Sequence, residues 1–188
     1  FTVSAQIATT GTSNSGLNAS AIGFNTTASN TVSTAMGRET LASGVSSTAM
    51  GYQTKATNTA ATAMGDNSTA SGVTSTAIGD NSTASGETSI AMGFETEATY
   101  SASIAMGYQT SSTEGASTAM GFQTTASGFG STSIGYQTTA SGNSSTAMGW
   151  LTAANGKAST AIGKSTIASD FGSLVIGQYN LGGATVTN

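Results

Sequence analysis

Residues 117–130 read STAMGFQTTASGFG, and this stretch returns with small changes along most of the chain. A glycine preceded by Met or Ile recurs every fourteen residues, twelve times, without an insertion. These glycines are Gly23, Gly37, Gly51, Gly65, Gly79, Gly93, Gly107, Gly121, Gly135, Gly149, Gly163 and Gly177. Disordered low-complexity tracts do not keep so strict a phase, so the repeat predicts a folded chain.

Other positions of the repeat, numbered from its glycine as position one, are nearly as regular. Position four is Thr or Ser in eleven of the twelve repeats, position six is mostly Ala, and position thirteen is Ala except at Ser133 and Val175. Position fourteen is always Met or Ile and contains all seven Met of the chain. This Met/Ile column consists of Ile22, Met36, Met50, Met64, Ile78, Met92, Met106, Met120, Ile134, Met148, Ile162 and Ile176.

Composition excludes most classes of enzyme. Only 6% of the 188 residues are charged, against about 25% in an average globular protein. The chain has no Pro, Cys or His, which removes disulfides, Cys or His metal sites, and catalysis by imidazole or thiol. We therefore expect no catalytic residue, no metal site and no cofactor.

The charge balance also limits the possible partners. The net charge is −4 and only four residues are Lys or Arg, so we expect no nucleic-acid surface. No apolar run approaches the roughly 18 to 20 residues of a membrane span. Because the chain begins at Phe1, we interpret it as a processed chain or an excised piece.

The fourteen-residue period predicts an all-β fold. It is too short for a pair of helices but fits one solenoid coil of two short strands and two tight turns. Glycine at positions one and eight suits the positive φ or the close backbone approach that turns require. With no Pro, each strand can pair with its equivalent in the next coil. We expect a parallel β-roll, or β-solenoid, of about twelve coils.

Side-chain size suggests which columns face inward. A coil this small has room for Ala, so we place the Ala of positions six and thirteen inside and the Met/Ile column outside. An exposed apolar column of that length requires a partner surface, which predicts an oligomer. The alternative places Met and Ile inside and Ala outside, and it would allow a monomer.

The repeat resembles that of a known family. The pattern Ser-Thr-Ala-Met-Gly-x-x-Thr-x-Ala-Ser-Gly, repeated with variation from Ser145 through Gly156, is similar to the head repeats of YadA-like trimeric autotransporter adhesins, and the similarity covers about residues 17–182. It implies a left-handed β-roll, a parallel homotrimer and display on a bacterial cell surface. Residues 178–188 do not resemble the basic neck and coiled-coil stalk that usually follow such heads, and Met largely replaces the usual Ile.

We therefore predict a non-enzymatic, extracellular adhesin head. Its partners would be two further copies of itself and a matrix, glycan or host-surface ligand. The predicted domains are an N-terminal strand or irregular cap over residues 1–16, the β-roll over 17–182 and a tail over 183–188. One alternative is a segment of a phage fibre, where similar head repeats also occur. Another is a self-assembling filament, since residues 1–7 alternate like an edge strand.

Position two supplies a candidate ligand site. Five consecutive repeats carry an aromatic residue there, which predicts rings stacked about 4.8 Å apart. This aromatic ladder consists of Phe94, Tyr108, Phe122, Tyr136 and Trp150. With Gln109, Gln123 and Gln137 at position three, it could hold a sugar or an extended peptide by stacking and hydrogen bonding. The alternative is that the rings cover a turn or a seam between chains.

A third functional hypothesis concerns threonine. A regular, exposed and flat row of Thr can order water and bind ice. If the Met/Ile column faces an oligomer axis, position twelve faces it as well, so only the position-four Thr column would be available for ice.

Overall fold

The computed structural model describes residues 10–182, and all regular structure within that range is β-strand. The predicted tail and most of the predicted N-terminal cap, including the strand expected over residues 1–7, lie outside the described residues. The chain divides into two compact units, Phe1–Glu95 and Thr96–Asn188.

Every coil has the same local structure. A long strand of five residues covers positions twelve to two, and a short strand of two residues covers positions five and six. In one coil these strands are Thr118–Phe122 and Thr125–Ala126. A tight turn joins them, and a longer turn leads to the next long strand.

The first unit contains six long and six short strands within its described part. The long strands are β2 (Ser20–Phe24), β4 (Thr34–Arg38), β6 (Thr48–Tyr52), β8 (Thr62–Asp66), β10 (Thr76–Asp80) and β12 (Ile90–Phe94). The short strands are β1 (Ser13–Asn14), β3 (Thr27–Ala28), β5 (Leu41–Ala42), β7 (Lys55–Ala56), β9 (Thr69–Ala70) and β11 (Thr83–Ala84).

The second unit continues the pattern, with six long and seven short strands up to residue 182. The long strands are β14 (Ile104–Tyr108), β16 (Thr118–Phe122), β18 (Thr132–Tyr136), β20 (Thr146–Trp150), β22 (Thr160–Lys164) and β24 (Leu174–Gln178). The short strands are β13 (Glu97–Ala98), β15 (Ser111–Ser112), β17 (Thr125–Ala126), β19 (Thr139–Ala140), β21 (Ala153–Ala154), β23 (Ile167–Ala168) and β25 (Leu181–Gly182).

Pairing between coils is parallel and keeps the repeat in phase. In the first unit Met36 is opposite Met50, and in the second Met106 is opposite Met120. Backbone hydrogen bonds continue through the tight turn, where the N–H of Gln123 donates to the carbonyl of Tyr108 at 2.8 Å. The predicted fold, a parallel β-solenoid with one coil per fourteen residues, is confirmed.

The core is narrow and is filled by small side chains, as predicted. Nearly all Ala residues at positions six and thirteen are fully buried in both units, for example Ala91 in the first and Ala119 and Ala126 in the second. Ser at position eleven and Thr at position four are buried beside them, as at Ser117 and Thr124. The alternative with Ala outside and Met inside is therefore wrong.

Burial of the position-four Thr also removes that column as an ice-binding surface. Thr110 and Thr124 are at most 1% exposed, so this column cannot face water. The cause lies at position three, where Gln109 and Gln123 have left-handed φ values of 51° and 52°. That conformation turns the chain, so the alternation of the long strand does not continue into position four.

The position-four hydroxyls make few hydrogen bonds. The Oγ1 atoms of Thr26, Thr40, Thr54, Thr110, Thr124, Thr152 and Thr166 are buried without a partner among the described residues. Thr138 differs, because its Oγ1 lies 2.8 Å from the Oγ of Ser133, the residue that replaces Ala at position thirteen. A buried hydroxyl without a partner costs roughly 1–3 kcal/mol in lost hydration.

This contrast predicts opposite effects for one substitution at neighbouring coils. Thr124→Val removes a buried hydroxyl that has no partner and should raise the free energy of unfolding by about 1 kcal/mol. Thr138→Val leaves the Ser133 hydroxyl alone and should lower the free energy of unfolding by about 1 kcal/mol. Urea unfolding followed by circular dichroism measures both; equal losses in the two variants would show that the hydroxyl of Thr124 is needed.

Candidate assembly and binding surface

The Met/Ile column lies on the outer face of the long strands. Its side chains alternate with the buried Ala of position thirteen, so they point away from the core. Most of the column is half-buried within the single chain, while Met148 is 37% exposed and Ile176 56%. Position twelve, mostly Thr, lies on the same face and is also half-buried along most of the column. The outer face thus presents an apolar row with hydroxyls beside it.

In-register pairing makes that apolar row continuous within each unit. Met36, Met50 and Met64 occupy three consecutive coils of the first unit. In the second unit Met106, Met120, Ile134, Met148 and Ile162 follow one another. The structure contains one chain, so the predicted role of this column as an oligomer interface stays a prediction.

The position-one glycines, which the sequence suggested as turn residues, are the fourth residues of the long strands. Their φ values lie between +117° and +137°, a region that L side chains rarely adopt. A Cβ on Gly121 would lie 2.1 Å from the carbonyl oxygen of Gly135, and a Cβ on Gly107 would lie 2.0 Å from that of Gly121. Glycine is needed here because adjacent coils approach too closely for any side chain.

The aromatic ladder forms a tight stack in the second unit. Ring centroids of Tyr108 and Phe122 are 4.9 Å apart, as are those of Phe122 and Tyr136, with interplanar angles of 4° and 3°. Tyr136 and Trp150 follow at 4.2 Å and 16°. Phe94 is half-buried at the end of β12 in the first unit. The predicted spacing of the rings is therefore observed for the four residues of the second unit.

Stacking changes what the ladder could bind. Both faces of Phe122 and of Tyr136 are covered by neighbouring rings, so no sugar can stack on them. The amides are engaged too: Nε2 of Gln123 donates to Oε1 of Gln109, and Nε2 of Gln137 donates to Oε1 of Gln123, each at 2.8 Å. At Phe122 and Tyr136, therefore, only the ring edges remain for a ligand.

In the first unit a cation takes the place of a ring. The Arg38 guanidinium lies 5.8 Å from the ring centroid of Phe24 and 5.3 Å from that of Tyr52. Its Nε is 3.2 Å from Oε1 of Glu39, and Gln53 Nε2 donates to Oε2 of that carboxylate at 2.8 Å. Because the Arg38 side chain is 61% exposed, this ion pair contributes little.

A second cation at position two, Lys164, lies near an aromatic ring. Nζ of Lys164 is 5.5 Å from the ring centroid of Tyr179. A side-chain hydrogen bond with Gln178 and, after it, the interaction with Lys164 lower the pKa of the Tyr179 hydroxyl. Position-two residues therefore make aromatic–aromatic contacts in some repeats and cation–aromatic contacts in others, in the case of Lys164 with a ring at position three.

Few titratable groups gather on this surface. Asp66 and Asp80 are opposite each other in adjacent long strands, and Asn81 Nδ2 donates to Oδ1 of Asp80 at 2.8 Å. Among residues 10–182, no three Asp, Glu, His or Cys residues come close enough to hold a metal ion. That part of the chain also has no helix that could cross a membrane.

These strands and the outward apolar column define the described residues as a β-solenoid repeat protein. The family model described as the YadA head domain repeat, in two copies, matches residues 15–40, 42–68, 70–96, 101–124, 126–152 and 154–180. The chain therefore belongs to the YadA head repeat family, which is an adhesin-type family and not an enzyme family. A comparison with curated proteins finds no match.

The stacked rings should contribute measurably to stability. Phe122→Ala removes two ring pairs, each worth roughly 0.5–1.5 kcal/mol beyond area burial, and should lower the free energy of unfolding by about 2 kcal/mol or more. Phe129→Ala is the control, because Phe129 lies in the longer turn of the same coil and is 60% exposed. We expect it to cost less than about 0.5 kcal/mol. Equal losses of unfolding free energy in the two variants would show that the stack adds nothing to stability.

Proposed function

We propose that the chain is the trimeric, non-enzymatic head of a surface-displayed adhesin, with residues 17–182 as its β-roll. Three chains associate in parallel through their Met/Ile columns and display the roll outside the cell. A left-handed roll is part of this proposal and follows from the family resemblance.

The observation that supports it most is the placement of the apolar side chains. Each roll fills its interior with Ala, Thr and Ser and leaves the Met/Ile column half-buried or exposed on the outer face of its long strands. A soluble monomer rarely exposes a contiguous apolar patch of more than a few hundred Å². Association of identical faces would cover the column, and membership of the YadA head repeat family favours three chains.

Light scattering of the purified chain tests the proposal. Three chains per particle over a wide range of dilution supports the trimeric head. A single chain at micromolar concentration contradicts it, and steady growth into longer particles would favour the filament instead. No feature of the described residues favours the filament or the phage fibre over the adhesin head.

For the ligand, we propose contact through the exposed edges of the aromatic ladder, where Tyr108 is 39% and Trp150 47% exposed. Binding of the chain to a glycan array and to immobilised matrix proteins can be compared for Trp150→Ser and for Phe129→Ser, both at exposed aromatics. Loss of binding in the ladder variant alone, with β content retained, supports the ladder as the ligand site. Equal binding by both variants and the natural chain contradicts it.

A further inference from the structure

Oxidisable sulfur in this protein is confined to one surface. The chain has no Cys, and all seven of its Met lie at position fourteen. None of these side chains is fully buried in the single chain, and Met148 is 37% exposed. The neighbouring residue at position twelve is mostly Thr, and the one at position one is always Gly. These small residues leave the thioether accessible. A reagent that attacks thioethers would thus act on the Met/Ile column and on no other column of the roll.

Pairing in register brings several sulfurs together. Met36, Met50 and Met64 are opposite one another in consecutive coils, as are Met106 and Met120. Neighbouring strands are about 4.8 Å apart, so a new polar oxygen on one side chain would lie beside the next. One modified residue therefore disturbs the apolar row over more than one coil.

The column does not need Met for its shape. Ile occupies the same position at Ile22, Ile78, Ile134, Ile162 and Ile176, in the same strands and with the same pairing. Ile provides a comparable apolar surface but cannot be oxidised by peroxide. The two residue types differ chiefly in chemistry, and the sequence itself supplies the non-oxidisable replacement.

We propose that the Met/Ile column is an oxidative modification site that controls association of the chains. A hydroperoxide transfers one oxygen to the thioether: the O–O bond breaks, an S–O bond forms, sulfur is oxidised by two electrons, and the peroxide leaves as water or an alcohol. The product is a polar sulfoxide where an apolar contact is required. The inference rests on the proposed function, because it assumes that association covers this column.

The timing of the reaction follows from the geometry. In the separate chain the thioethers are partly exposed, and in the assembly they would be covered. Oxidation should therefore act on chains before they associate, and chains oxidised at that stage should remain apart. Because the Ala, Ser and Thr core contains no oxidisable group, the roll itself should keep its β-structure.

The experiment oxidises the full chain with hydrogen peroxide in denaturant until mass spectrometry shows seven added oxygens, and then refolds it. An untreated chain passes through the same steps. The matched control replaces all seven Met by Ile and receives the same peroxide. We expect the untreated and Ile chains to reach the same particle mass, and the oxidised natural chain to retain its β content while its dissociation constant rises at least tenfold.

Two measurements keep the outcome decisive even if refolding is inefficient. In the native protein, peroxide should oxidise the seven Met more slowly as protein concentration and assembly increase, which peptide mass spectrometry follows residue by residue. An oxidised chain that assembles like the untreated one overturns the inference while leaving the trimer intact. An untreated chain that stays single overturns the proposed trimer and this inference together. Loss of β content on oxidation also overturns it, since the thioethers would then support their own roll.

Discussion

Gly121→Ala should lower the free energy of unfolding by more than about 3 kcal/mol, because the added methyl group brings both backbone strain and a steric clash. Gly121 has a φ of +124°, and a Cβ there would lie 2.1 Å from the carbonyl oxygen of Gly135. That oxygen belongs to the backbone of the next coil and cannot rotate away. The two coils must separate, which weakens the hydrogen bonds between their long strands.

Gly130→Ala is the matched control in the same coil. Gly130 also has a positive φ, +63°, but the nearest atom to an added Cβ is Ser144 Oγ at 3.9 Å. Other coils place Ala116 and Ser144 at this position with φ values of 54° and 56°. We expect Gly130→Ala to cost roughly 1 kcal/mol from left-handed strain alone. If urea unfolding shows the same loss of unfolding free energy for both variants, close approach of the coils is not the reason that glycine occupies position one.

The period and the inward Ala columns were predictable because they depend on size and spacing alone. Fourteen residues fit one coil, and Ala119 and Ala126 are small enough to lie between two sheets. Parallel pairing followed from the absence of Pro and the strict repeat. Predicting these features requires only the alternation of side chains along a strand and the volume of each side chain.

Burial of position four was not predictable in the same way. Alternation carried on from the half-buried Phe122 on the outer face would place Thr124 outside, yet the structure buries it. The left-handed conformation of Gln123 lies between them and shifts the alternation by one residue. Gln is not a residue that favours positive φ, so its type gives no warning of the turn. Here hydrogen bonding between coils determines the backbone, since the Gln123 N–H donates to Tyr108.

The aromatic ladder shows a different limit of prediction. Spacing in the sequence predicts that Tyr108 and Phe122 lie one coil apart, but not whether their faces are open. The interplanar angle of 4° and the centroid distance of 4.9 Å close those faces. Stacking of a ligand on the inner rings, Phe122 and Tyr136, is thereby excluded, and only the folded structure could make that distinction.

The double substitution Met106→Glu and Met120→Glu should separate the chains while each roll keeps its β content. The two side chains are opposite each other in adjacent coils on the outer face, so the roll does not depend on them for its core. In a trimer, six carboxylates would enter a contact made by apolar side chains. Each buried and unpaired charge costs on the order of several kcal/mol, which exceeds what two coils of apolar contact can contribute.

Thr125→Glu with Thr139→Glu provides the matched control. These residues are opposite each other on adjacent short strands of the second unit, in the other sheet of the coil, and Glu97 already occupies the same repeat position. The control adds equal charge to the opposite sheet, so its particle mass should equal that of the natural protein.

Light scattering and circular dichroism distinguish the possible outcomes for the Met variant. If the Met variant keeps the natural mass, the Met/Ile column is not the interface, and if it loses its β content, the column supports its own coil. A fall to single chains in the Met variant alone places the contact between chains on the outer face of the long strands.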